Sequence, residues 1–189
     1  MRRRTILFGL GLFWGCVLVV PPAASQKPAS VSLGDVSSLP NSQVSVPLYF
    51  TPPSSPDVSV GRLRATIRFE NQAVTFLKAD KGIILESLLG RLEVKQEGDS
   101  ENPPGAILRV EISSDGKEHL REGILALLMF SINEDAPAGT RVALQLRDLK
   151  ADSLDSPTQA IEPLAAKDGS IQVIRPEETP YVSCFFFTH

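Results

Sequence analysis

Hydrophobic and polar residues alternate with a period of two along most of this chain. Val44, Val46, Leu48 and Phe50 alternate with polar or small residues, and Leu63, Ala65, Ile67 and Phe69 alternate with Arg62, Arg64, Thr66 and Arg68. Leu108, Val110 and Ile112 flank Arg109 and Glu111, and the pattern returns at Val142, Leu144 and Leu146 and at Ile171 and Val173. Side chains two apart share one face of a strand, so each run predicts a strand with one dry face and one wet face. Ile124 to Ile132 is apolar almost throughout, which predicts a central strand covered on both faces or one crossing the core obliquely. Pro47 interrupts a good strand. It has no N–H to donate, so that strand is expected at an edge, or that position turned outward. Turn chemistry lies between the runs, at Thr51 to Asp57, Gly98 to Gly105, Ser113 to Lys117 and Glu134 to Gly139. Only Ile83 to Leu89 has the makings of a helical turn or two. Short strands at this spacing predict an all-β sandwich.

The first residues change the picture of where the chain works. Arg2, Arg3 and Arg4 precede an uncharged run from Ile6 to Val20, and Pro21 to Ser25 supply a break and small residues. That is the layout of a secretory signal peptide, expected to be cleaved after residue 25. Its apolar run is shorter than the ~20 residues a spanning helix needs. Trp14 and Val17 around Cys16 do not fit a lipoprotein signal. Without residues 1–25 the charge balance moves from 19 basic against 22 acidic groups to 16 against 22, which argues against nucleic acid or an anionic membrane as a partner held by charge. Cys184 is then the only cysteine, so the domain, residues 26–175, is expected to stand on its core without an internal disulfide. The product is expected to be exported, to the periplasm or beyond.

A family likeness follows from the order of features. Val31-Ser-Leu-Gly-Asp-Val36 and Gln43-Val-Ser-Val-Pro-Leu48 resemble the opening two strands of cohesin domains, and so does Leu63-Arg-Ala-Thr-Ile-Arg-Phe69 followed by Val74-Thr-Phe-Leu77 and Gly82. Glu122-Gly-Ile-Leu-Ala-Leu-Leu-Met-Phe-Ser-Ile132, Ala136-Pro-Ala-Gly-Thr140 and Asp168-Gly-Ser-Ile-Gln-Val173 continue the match over residues 29–174. The resemblance implies a jelly-roll β-sandwich of about nine strands. It also implies a protein partner, since cohesins bind dockerin modules, and a structural kinship with some carbohydrate-binding modules. The chain departs from the family at Phe69-Glu70-Asn71, where Tyr-Asp-Pro is common, and in carrying one such domain where cellulosomal scaffolds carry several.

Catalytic signatures are missing. The two histidines are His119, in a polar loop, and His189. No nucleophile elbow, zinc helix or phosphate-cradling loop occurs, so the chain reads as a non-enzyme. Asp148, Asp152 and Asp155, with Glu162 beyond, read as a solvated Ser/Asp-rich loop. They fall short of the six to eight oxygens that calcium takes, so no cofactor or metal is assigned. The constellation that does suggest recognition is basic: Arg62, Arg64 and Arg68, Arg91 and Lys95, Arg109 beside Glu111, and Arg141 and Arg147 all fall on outward positions. The cohesin resemblance places their strands, the third, fifth, sixth and eighth, side by side on the family's dockerin-binding face. Arginines there could dock carboxylates in paired hydrogen bonds, with charge reversal at Arg64 and Arg109 expected to abolish capture; equally, they could serve only to keep a sheet face soluble.

Beyond a Pro/Glu linker, residues 176–189 end in Cys184-Phe185-Phe186-Phe187-Thr-His189, an apolar tail expected to fold back, enter a partner or mediate assembly. Three functions therefore stay open: a dockerin-type protein-binding module, a carbohydrate-binding accessory to polysaccharide breakdown, and an envelope component assembled through its tail. Without Trp in the mature chain, and with only Tyr49 and Tyr181 as tyrosines, a flat aromatic sugar platform is disfavoured.

Overall fold

The computed structural model describes residues 27–55, 58–100, 105–115, 118–156 and 159–175. The expected signal segment and the Cys-Phe tail lie outside the described residues. The strands are β1 (Ala29–Leu33), β2 (Asp35–Ser38), β3 (Gln43–Thr51), β4 (Val60–Glu70), β5 (Val74–Lys81), β6 (Arg91–Asp99), β7 (Gly105–Ser113), β8 (Gly123–Ile132), β9 (Arg141–Ser153), β10 (Leu164–Lys167) and β11 (Gly169–Val173), with one short helix, α1 (Ile83–Ser87), before β6. They build a five-stranded sheet, β10-β1-β3-β8-β5, and a six-stranded sheet, β2-β11-β9-β4-β7-β6. Two pairs of segments, β1/β2 and β10/β11, are single runs that pass from one sheet to the other, so the eleven segments are nine runs of chain.

The first crossing has a local cause. At Gly34 the chain leaves the β3 side, donating its amide to the Pro47 carbonyl at 3.0 Å. A Cβ at Gly34 would lie 2.8 Å from the Pro47 ring. Pro47 itself sits in an interior strand, between β1 and β8, and not at an edge. Its ring nitrogen shares with its carbonyl the side of β3 that β1 is leaving, so no ladder bond is lost there. The returning run repeats the geometry: β10 pairs parallel with β1, and β11 pairs parallel with β2. Between them Asp168 accepts from the Leu146 amide at 2.8 Å and pairs with Arg147 at 3.0 Å.

The alternating runs do face inward. Val46, Leu48, Phe50, Leu128, Phe130 and Ile132 from one sheet meet Leu63, Ile67, Leu108, Ile112, Leu144 and Leu146 from the other, all buried. The prediction for β8 needs correcting. Its odd positions Leu127 and Met129 are only half-buried, because β8 is central within its sheet but that sheet's outer face is open. A second correction concerns Asp148 and Asp152, which lie within β9 and not in a loop. Lys150 faces Arg64 while Arg147 faces Thr66, so β9 carries one extra residue there, and Asp148 takes a left-handed φ of 49°. Such a bulge flips the phase of the strand. Buried positions run Val142, Leu144, Leu146 before it and resume at Ala151, which disguises the second half of β9 as a polar loop.

Candidate partner-binding face

The outer face of the six-stranded sheet is where the sequence-predicted basic residues meet. Arg62, Arg64 and Arg68 lie on β4, Arg91 and Lys95 on β6, Arg109 and Glu111 on β7, and Arg141 and Arg147 on β9, and these four strands are neighbours in the order β9-β4-β7-β6. Strand register arranges them in rows across the sheet. One row reads Arg91, Ser113, Arg62, Asp152; the next Glu93, Glu111, Arg64, Lys150; the third Lys95, Arg109, Thr66, Arg147; the fourth Glu97, Ile107, Arg68, Gln145.

Pairing was the part that spacing did not reveal. Arg62 meets Glu111 at 3.3 Å, Arg109 meets Glu97 at 3.0 Å, Arg147 meets Asp168 at 3.0 Å, and Arg141 lies 3.6 Å from Asp35. Arg64 donates to Asp152 at 2.7 Å, and that carboxylate is the most enclosed of the set, with its side chain 11% exposed. The expected cationic docking face is therefore an ionic lattice whose arginines are largely answered from within. The exposed pairs are screened by solvent and contribute little to stability. The Arg64–Asp152 pair matters more, because removing one partner strands a nearly buried charge. Reversing Arg64 would set an anion against Asp152, so it is a poor probe of binding. Among the described residues, Arg91, Lys95 and Lys150 on this face make no ion pair.

Among the described residues, two depressions interrupt the face. One, of ≈ 550 Å³, is lined by Arg68, Glu70, Asp99, Arg141, Gln145 and Arg147 among others. The other, of ≈ 440 Å³, lies over Thr66 and is lined by Lys95, Arg109, Arg64 and Lys150 together with Glu93, Glu111 and Asp148. At the far edge, the Ser170 hydroxyl donates to Asp35 at 2.6 Å. That hydrogen bond, then the charges of Arg141 and Lys167, hold the Asp35 carboxyl below the usual carboxylate range.

The remaining candidates do not converge. Asp148 is exposed at the bulge, Asp152 is taken by Arg64, Asp155 accepts from Ser59 at 2.5 Å, and Glu162 precedes a proline. Among the described residues no group of three or more metal-ligating side chains forms. His119 is exposed. Among the described residues no helix is long and apolar enough to cross a membrane. Of the described aromatic side chains only Tyr49 is exposed, on the opposite sheet, while Phe50, Phe69 and Phe130 are buried.

The sequence matches no protein-family model and no curated protein. Solved structures do match. A non-cellulosomal cohesin from the hyperthermophilic archaeon Archaeoglobus fulgidus is 16% identical, with a TM-score of 0.62 over 80% of this chain and 95% of its own. The third cohesin ScaC of Acetivibrio cellulolyticus, in complex with the ScaB dockerin, is 22% identical with a TM-score of 0.63, over 78% and 99% of the two chains. A type I cohesin–dockerin complex, Coh-OlpA-Doc918 from Clostridium thermocellum, contributes a cohesin 15% identical with a TM-score of 0.63, over 78% and 100%. These likenesses span about four fifths of the chain, and the chain has a cohesin-like jelly-roll β-sandwich fold.

Proposed function

We propose that the chain is an exported, non-catalytic module that binds a protein partner through the outer face of β9-β4-β7-β6. The observation that carries the reading is a broad, charge-ordered sheet face with two depressions, on a fold whose solved neighbours include cohesins in complex with dockerins. A dockerin-like module is the first partner to try. Self-paired arginines suit such a surface: they are held in place before a partner arrives, which lowers the ordering cost of binding. The carbohydrate alternative gains no support from the described aromatics, and export rests on residues 1–25 alone.

A charge-neutral block tests this face without disturbing its ion pairs. Ser113→Trp and Gln145→Trp place bulk on outward positions of β7 and β9, and Gln43→Trp does the same on the outer face of the other sheet. The partner, recovered with the full chain from envelope and culture fractions and then purified, is expected to lose at least tenfold in affinity for the first two variants. Gln43→Trp should bind as wild type, and all three should melt within a few degrees of it. Equal binding by Ser113→Trp and Gln145→Trp would remove this face from the account.

A further inference from the structure

Three cross-strand pairs within the ionic lattice of the outer face set like charges against each other. Glu93 stands directly opposite Glu111, Lys95 opposite Arg109, and Arg64 opposite Lys150. Like charges directly opposite on neighbouring strands repel. Exchanging Glu93 and Lys95 in the sequence would turn two of these three pairs attractive, with composition and net charge unchanged. The existing order instead sets Arg64, Lys95, Arg109 and Lys150 around one spot that they share with Glu93, Glu111 and Asp148. That spot is the ≈ 440 Å³ depression. Its floor is Thr66, a hydroxyl residue only 7% exposed, at the crossing of the third row with β4. Arg64 and Arg109 lean partly away, toward Asp152 and Glu97. Lys95 and Lys150 have no ion-pair partner, and an ammonium offers three rotatable donors.

Building on the proposed partner face, we propose that this depression seats a carboxylate side chain of the protein partner, an Asp or Glu, while a neighbouring cation of the partner lies over Glu93 and Glu111. Lys95 and Lys150 close on the carboxylate from opposite sides, and Thr66 sets its depth. Rows two residues apart along β6 are separated by roughly 7 Å. A partner with an acid and a base at adjacent turns of a helix, roughly 5–6 Å apart at Cβ, or two apart on an extended segment, spans that distance.

The test uses the full chain, labelled with ¹⁵N, and blocked tetra-aspartate as the probe at low ionic strength. Tetra-aspartate is expected to shift the backbone amides of Thr66, Lys95, Arg109 and Lys150 together, with one saturation curve, while blocked tetra-lysine leaves Thr66 unmoved. Lys95→Glu with Lys150→Glu should weaken that curve at least tenfold, and Lys95→Gln with Lys150→Gln should weaken it several-fold with an unaltered spectrum elsewhere. Shifts of equal size at Lys27, Lys78 and Arg121 would reduce the effect to general charge attraction and overturn the seat. A silent titration would overturn it as well. If the tryptophan variants lose the partner while tetra-aspartate stays silent, the face stands and the carboxylate seat falls.

Discussion

Phe130→Ala is expected to remove roughly 3–5 kcal/mol of stability, the usual cost of emptying a large buried aromatic site. Phe130 is fully buried on β8. It packs edge-on against Phe69 across the sandwich, with centroids 5.4 Å apart and planes at 88°, and against Phe76 on β5 at 5.6 Å and 69°. It thus ties the two sheets to each other and the edge strand to the centre. Edge-to-face pairs add about 0.5–1.5 kcal/mol beyond buried area. The described residues contain no disulfide framework to compensate, and a domain holds only about 5–15 kcal/mol in all. Urea unfolding should show the midpoint falling by a large fraction at unchanged m. A loss under about 1 kcal/mol would mean that the neighbours collapse into the space and that this cluster is not the tie between the sheets.

Gly82→Ala is expected to be nearly as damaging for the opposite reason. The backbone of Gly82, at φ −79° and ψ 164°, suits any residue, so conformation is not the issue. Space is. A Cβ there would lie 2.2 Å from the Ile124 carbonyl oxygen and 2.6 Å from its carbon. Both are backbone atoms of a central strand and cannot turn aside as a side chain would. The Gly82 amide also donates to the Leu125 carbonyl at 2.8 Å, and its carbonyl starts α1 by accepting from Glu86 at 3.0 Å. One methyl group would therefore prise the β5–α1 corner off β8, at a cost of about 3 kcal/mol, the upper end for overpacking. Gly98→Ala makes the control, since nothing lies within 4 Å of a Cβ at that position. It should be close to neutral. Equal melting temperatures for the two variants would show that the corner is compliant.

Much of this architecture was legible because burial and strand geometry share a period. Leu63, Ala65, Ile67 and Phe69 announced both β4 and its inner face. The short helix at Ile83–Ser87 also fell where the alternation lapsed. What was not legible depends on register between distant strands. Arg64 and Asp152 are 88 residues apart, and nothing in their local sequence marks them as partners. The same blindness made the arginines look available to a ligand when most are ion-paired. The bulge at Asp148 hid half of β9, because one inserted residue breaks the alternation on which strand reading relies. Pro47 was expected at an edge or turned outward, because a missing donor is costly only where a neighbour needs it. The crossing at Gly34 removes that neighbour. The carboxylate seat over Thr66 was equally out of reach, since it exists only where four strands bring side chains of two adjacent rows together.

The exposed lysines divide between the faces, and their reactivity reads the bound surface directly. Lys95 and Lys150 lie on the outer face of β9-β4-β7-β6, whereas Lys78 and Lys81 lie on β5 in the other sheet. The full chain is acetylated briefly with and without saturating purified partner, and each site is quantified by mass spectrometry. Protection of Lys95 and Lys150, with Lys78 and Lys81 unchanged, is the predicted result. Protection of Lys78 and Lys81 with Lys95 and Lys150 still reactive would place the partner on the opposite sheet and contradict the account.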